Sequence, residues 1–243
     1  MHNLNELEQD YNKILILFDR VSILFWFIPI PTILLNWNRM SKELKIFAFY
    51  LVALLSLHFI ENIHIWAVLK FDPYWEFMKS IDIRDTNFFN IFYRLTSYIF
   101  LGFFYEITIL KENNHKLNFK KKSLILCMIA IFIFFFIDGY SKFGTVNSIL
   151  SKCFQIILPL ISINQTFKYR LNSNIWKNSF FLVNLGILLP TAFTLILSFF
   201  SDSLHENHFI LFVQSIIARN IISLIGEILF AFAFVYSNNS KFR

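Results

Sequence analysis

The sequence predicts an all-α membrane protein, namely a polytopic bundle of seven transmembrane helices that forms one integral membrane domain over residues 1–243. Three observations lead to this prediction. First, 56% of the residues are hydrophobic and only 16% are charged, a composition outside the usual range of soluble domains. Second, long apolar windows recur along the whole chain. Third, basic residues gather in every second segment between these windows.

Seven apolar windows are candidate membrane spans, because a helix that rises 1.5 Å per residue crosses about 30 Å of hydrocarbon in about 20 residues. They cover residues 21–37, 46–69, 88–109, 123–137, 149–167, 179–200 and 209–236. The fourth is short unless the side chains of Lys120, Lys121 and Lys122 extend to the headgroups. Residues 71–78, between the second and third windows, mix aromatic and charged side chains as a short interfacial helix does. Four prolines are expected to kink a helix or widen a turn: Pro29, Pro31, Pro159 and Pro190.

The distribution of basic residues predicts the orientation, because Lys and Arg accumulate in short cytoplasmic loops. The segments after the first, third, fifth and seventh windows carry Arg39, Lys42, Lys45, Lys111, Lys116, Lys120, Lys121, Lys122, Lys168, Arg170, Lys177, Lys241 and Arg243. The opposite side begins with an acidic stretch that contains Glu6, Glu8 and Asp10. We therefore expect the amino terminus outside and the carboxyl terminus in the cytoplasm. This arrangement also accounts for the net charge of +6 without a nucleic-acid partner.

Polar and ionisable residues inside the windows are the candidate functional residues, because a charge in the membrane is costly and normally faces a partner in the bundle interior. They are His58, Glu61, Arg94, Glu106, Arg219, Asn220, Ser223 and Glu227. From the window ends we place Glu61, Arg94 and Arg219 about 12, 9 and 15 Å below the outer boundary. At about 100° per residue, His58 shares a helix face with Glu61, and the four candidates of the seventh window form one stripe.

The depths suggest an outward-half cluster of His58, Glu61, Arg94 and Arg219. Such a cluster would bind an anionic lipid headgroup or solute, or pass protons through its histidine. The alternative is that Glu61 neutralises one arginine and fixes the packing register of the bundle.

Glu106 and Glu227 form a second candidate group, an inner acidic pair at matching depth. Two adjacent carboxyl groups would share a proton or bind a cation, because both cannot stay ionised cheaply in a low dielectric. The alternative is that Glu106 pairs with Lys111 or Lys116 near the membrane surface.

No pattern in the windows favours catalysis, a cofactor or a bound metal. His58 and His64 are six residues apart, whereas helical zinc ligands favour positions four apart on one face. Cys127 falls near the cytoplasmic end of the fourth window and Cys153 near the outer end of the fifth, so we expect two free thiols instead of a disulfide.

Residues 92–106 (FYRLTSYIFLGFFYE), 176–180 (WKNSF) and 184–188 (NLGIL) resemble the sequences of small, uncharacterised seven-helix inner-membrane proteins of Bacteroidota-type bacteria. The resemblance covers roughly the second to the seventh windows. It implies a multi-pass location in a bacterial inner membrane and no particular chemistry.

These observations favour a non-enzymatic protein that acts as a sensor or partner-binding scaffold. The alternative is a transporter or channel that uses the intramembrane His, Glu and Arg residues, and the third hypothesis is an intramembrane metal-dependent hydrolase. The expected partners are the lipid bilayer and, at the basic cytoplasmic loops, anionic lipid or a protein. A scaffold would have a closed polar cluster, and a transporter would have a continuous polar path. A hydrolase would need a third side chain that converges on the same metal ion.

Overall fold

The computed structural model describes residues 21, 24–81, 83, 86–110, 118–138, 145–169 and 175–237. Over these residues the chain is helical and contains no strand, so the all-α prediction is confirmed. The α-helices are α1 Pro29–Asn36, α2 Lys42–Lys70, α3 Asp72–Ser80, α4 Phe89–Leu110, α5 Phe119–Ile133, α6 Thr145–Tyr169, α7 Ser179–Asn207 and α8 Phe209–Val235. Short 3₁₀ segments lie at Trp37–Arg39 and Ile175–Lys177, and a π-helical segment, Phe134–Asp138, extends α5.

Four helices are long and apolar enough to cross a membrane: Lys42–Lys70 in α2, Val146–Lys168 in α6, Ser179–Phe200 in α7 and Phe209–Val235 in α8. Large apolar side chains remain exposed along them, among them Phe199, which is 63% exposed. Exposed apolar surface of this kind suits contact with lipid. The other three windows fall on α1, which has 8 residues, on α4, and on α5, which has 15.

The first window is broken at the prolines, as the sequence predicted. A turn at residues 26–28 precedes α1, which begins at Pro29. Pro29 and Pro31 have no N–H, so they cannot donate to the carbonyls of Phe25 and Phe27, which lie four residues earlier. Instead, the Phe25 carbonyl accepts from Ile28 N at 3.0 Å, and the Phe27 carbonyl accepts from Ile30 N at 3.2 Å.

The described residues group into two compact units. One, here called the α2–α5 unit, is Lys42–Leu158 and holds α2, α3, α4, α5 and the first part of α6. The other, the α7–α8 unit, combines the described parts of Met1–Ser41 and Pro159–Arg243, and holds α1, the end of α6, α7 and α8. The boundary within α6 falls at Pro159, one of the four prolines named above.

In the α2–α5 unit, α4 packs against α2 on one side and α5 on the other. Toward α2, the Phe104 and Phe47 rings lie 5.5 Å apart, and Ser97 Oγ is 3.2 Å from the Tyr50 hydroxyl. Toward α5, Gly102 contacts Ser123 so closely that a Cβ at residue 102 would overlap the serine side chain. This contact brings the two helix backbones together and leaves α4 largely enclosed.

Two buried asparagines connect helices within their units. Asn147, at the start of α6, donates from Nδ2 to the Ala130 carbonyl of α5 at 2.9 Å. Asn184 of α7 donates from Nδ2 to Ser162 Oγ of α6 at 2.8 Å. Both asparagines are fully covered, and polar contacts of this kind stabilise helix association where the hydrophobic effect is weak.

The α7–α8 pair is held by a close crossing of two glycines. A Cβ at Gly226 would lie 2.9 Å from the Gly186 carbonyl oxygen and 2.9 Å from Pro190 Cγ. Conversely, a Cβ at Gly186 would lie 3.1 Å from the Gly226 carbonyl oxygen. Each glycine therefore presents a Cα–H to the other's carbonyl, a weak hydrogen bond typical of closely packed membrane helices. Pro190 also deprives the Gly186 carbonyl of its helical N–H donor.

Candidate functional site

Glu61 of α2 is the centre of a polar group that we call the Glu61 site, made of His58, Glu61 and Tyr93. The Tyr93 hydroxyl, from α4, donates to Glu61 Oε2 at 2.8 Å. His58 Nδ1 lies 3.8 Å from the same oxygen, one helical turn before Glu61. The predicted common face of His58 and Glu61 is therefore present, and Tyr93 joins the two helices through the carboxylate.

The Glu61 site is partly covered. The His58 side chain is 26% exposed and the Glu61 side chain 19% exposed. The carboxylate and the imidazole are therefore neither fully buried nor fully exposed. The neighbours of the Glu61 carboxylate are the Tyr93 and Thr86 hydroxyls and the His58 imidazole.

His64, two turns after His58, joins α2 to the short helix α3. Its Nδ1 lies 2.7 Å from the Tyr74 hydroxyl. Its ring, in a residue only 7% exposed, makes edge contacts with the rings of Tyr74, Phe88 and Phe89 at 5.6, 5.2 and 5.5 Å. The interfacial segment thus forms the helix that the sequence predicted, and it is fixed next to the Glu61 site.

Arg94 lies on a different face of α4 from Tyr93, because consecutive helical residues point about 100° apart. It is buried, at 8% exposed, and lies close to the Tyr98 side chain. The sequence analysis grouped Arg94 with Glu61 by depth alone. The Glu61 carboxylate contacts Tyr93, His58 and Thr86, and the grouping of Arg94 with Glu61 stays a prediction.

The predicted stripe on α8 is present in the α7–α8 unit. Arg219 donates from Nε and Nη2 to Asn220 Oδ1, at 3.4 and 3.3 Å, and Ser223 Oγ donates to the Arg219 carbonyl at 3.0 Å. Asn220 and Glu227 are both buried, at 6% and 9% exposed. Since α8 belongs to one unit and Glu61 and Arg94 to the other, the inclusion of Arg219 in the outward-half cluster stays a prediction.

Glu106 has a structural contact within the α2–α5 unit. Its Oε2 accepts from Phe119 N at 2.5 Å and from Lys120 N at 3.4 Å. These are the first N–H groups of α5, which lack partners inside the helix and carry the positive end of its dipole. Glu106 therefore caps α5. Lys111 and Lys116 lie outside the described residues, and the pair with Glu227, which belongs to the other unit, stays a prediction.

The sequence analysis missed three residues with chemical significance. Tyr93 and Tyr74 are not among the predicted site residues, although a tyrosine hydroxyl that is partly buried usually has a hydrogen-bond partner. Glu43 is only 3% exposed, in the first turn of α2. At this position a carboxylate lies near the positive end of the helix dipole. The predicted site residues come from the apolar windows alone, and Glu43 lies before the second window.

Both cysteines are free thiols, as predicted, with Cys127 buried and Cys153 half-buried. The chain matches no protein-family model, no curated protein and no solved structure. The argument for function therefore depends on the geometry of the polar residues.

Proposed function

We propose that this chain is a non-enzymatic, seven-span protein of a bacterial inner membrane, with its amino terminus outside, and that it acts as a sensor or partner-binding scaffold. The Glu61 site is the place where it responds to a proton or to a small polar ligand. The asymmetric distribution of Lys and Arg supports the orientation. The exposed Lys120, Lys121 and Lys122 at the start of α5 suit anionic lipid or an acidic partner on the cytoplasmic side.

One observation carries the proposal. The Glu61 carboxylate joins two helices through Tyr93, has His58 at 3.8 Å, and is still 19% exposed. A carboxylate with a purely structural role is better placed as Glu106 is, on the N–H groups of a helix end. The Glu61 site combines a link between two helices with a partly exposed carboxylate, and both features support a responsive site.

The expected mechanism follows from charge. A protonated His58 places a cation beside the Glu61 carboxylate. The cation draws the carboxylate toward His58 and so competes with the hydrogen bond from Tyr93 of α4. The link between α2 and α4 therefore depends on the protonation of the site. The other titratable or charged groups nearby are His64 on α2, Tyr74 on α3 and Arg94 on α4.

The test is hydrogen–deuterium exchange of the full chain in nanodiscs of phosphatidylethanolamine and phosphatidylglycerol, between pH 5 and 8. After correction for intrinsic exchange rates, protection of α2 and α4 should change with pH in the wild type. His58→Gln and Glu61→Gln should abolish that change. The matched control is Glu76→Gln, which removes a carboxylate that is 70% exposed on α3. An unchanged profile in His58→Gln would refute the proposal.

Transport is the second candidate, and the buried Glu227 carboxyl favours it, because intramembrane acids commonly belong to ion or proton paths. Proteoliposomes with a trapped pH dye and an imposed potassium diffusion potential separate the two functions. The scaffold proposal expects proton flux no greater than in empty vesicles. Flux in the wild type that is lost in Glu61→Gln or Glu227→Gln would establish transport and overturn the scaffold proposal.

A further inference from the structure

The Glu227 carboxyl group occupies an unusual position in the middle of α8. The residue is 9% exposed, and its Oε2 is buried without a hydrogen-bond partner among the residues that the structure describes. The other acids of the apolar windows differ from it, since Glu61 accepts from Tyr93 and Glu106 accepts from two backbone N–H groups. A buried carboxylate with no donor and no cation is the costliest state for such a group.

The helices packed against α8 bring no ionisable side chain to Glu227 within their described parts. α8 packs against α1 and α7, and neither α1 nor the segment Ser179–Phe200 of α7 contains an acidic, basic or histidine residue. On α8 itself the other charged residue is Arg219, about 12 Å away along the axis. Its guanidinium donates to Asn220. Arg39 and Lys168, elsewhere in the unit, are exposed.

A tight glycine crossing lies next to Glu227 and keeps α7 close to α8 at this level of the pair. Gly226 is the preceding residue, and its contact with Gly186 and Pro190 leaves no room for a Cβ. Phe230, one turn later, fills the space beside Gly186.

We propose that Glu227 is a proton-binding site, which holds a single proton while the Gly186–Gly226 crossing is closed and releases it when the crossing opens. A proton is the ligand that fits, because it neutralises a lone carboxyl group without needing further ligands or space. The proposal concerns the α7–α8 unit, and it goes beyond the response proposed for the Glu61 site. It makes the packing of α7 on α8 dependent on one protonation step.

The experiment is infrared spectroscopy of the full chain in nanodiscs in D₂O, with ¹³C-carboxyl-labelled glutamate. At neutral pH the wild type should show the carbonyl stretch of a protonated glutamic acid. Glu227→Gln should remove that band, and the matched control Glu61→Gln should keep it. If Glu227→Gln gives too little folded protein, Glu227→Asp with labelled aspartate should show the band as a protonated aspartic acid.

Three outcomes would overturn the proposal. The first is a wild type without any protonated glutamic acid band at neutral pH. The second is a band that persists in Glu227→Gln. The third is a band that appears only after sodium is removed from the buffer, which would identify a cation site. None of these measurements depends on the histidine response, so failure here is distinguishable from failure of the proposed sensor function.

Discussion

Gly226→Ala tests the close crossing of α7 and α8 next to Glu227. The added Cβ would lie 2.9 Å from the Gly186 carbonyl oxygen and 2.9 Å from Pro190 Cγ. A relaxed contact between carbon and a carbonyl oxygen is about 3.3–3.6 Å, so the helices must separate by roughly 0.4–0.7 Å. Neither neighbour can rotate away, because one is backbone and the other is a proline ring.

The cost follows from two opposing effects. Overpacking of a tight contact typically costs about 1–3 kcal/mol, whereas alanine recovers about 0.5–1 kcal/mol of helix propensity relative to glycine. We expect Gly226→Ala to lower the free energy of unfolding by about 1–2 kcal/mol. The assay is equilibrium unfolding of the full chain in mixed detergent and dodecyl sulfate micelles, followed by circular dichroism.

Ile225→Ala is the matched control, because Ile225 is the preceding residue of α8 and is 44% exposed. Its truncation opens no internal cavity and should change the free energy of unfolding much less. If Gly226→Ala is as stable as the wild type, the helices are not in contact at this crossing. The proposed dependence of Glu227 on this crossing would then lose its basis.

Three further predictions use the same unfolding assay. Glu106→Ala should cost about 1–2 kcal/mol, because it leaves the first N–H groups of α5 without a partner, whereas Glu76→Ala at an exposed ion pair should cost less than about 0.5 kcal/mol. Tyr93→Phe should cost about 0.5–1.5 kcal/mol through loss of the donor to Glu61, and equal stability would show that this bond contributes nothing. Gly102→Ala should destabilise by about 1–3 kcal/mol, because the new methyl group overlaps a serine of α5; a neutral result would refute the close contact of α4 with α5.

The sequence predicts much of the fold because the cost of exposing a polar backbone to lipid is independent of tertiary structure. Apolar windows longer than about 17 residues must be helical in a membrane, and each of the seven windows overlaps an observed helix. The break before Pro29 was also predictable, since a missing N–H is a local property. The division into two compact units was not, because the composition is uniformly apolar on both sides of Leu158.

The contacts of the candidate residues were harder to predict. Helical periodicity correctly placed His58 beside Glu61, because both lie on one helix. It could not predict that Glu106 would cap α5, since the partners there are backbone N–H groups that carry no residue-specific signal. It placed Arg94 at the depth of Glu61, and that grouping stays a prediction, because depth does not specify the face of α4 from which a side chain leaves.

The three carboxyl groups of the apolar windows show how environment assigns different roles to one residue type. Glu106 meets unsatisfied N–H groups, so its charge is compensated permanently and it serves the fold. Glu61 meets a hydroxyl and a histidine, so the compensation of its charge varies with protonation of the neighbour. Glu227 has no donor for its buried Oε2 among the described residues, so its own protonation must change when its surroundings open. The roles proposed for Glu61 and Glu227 would each couple protonation to helix packing, in different units of the chain.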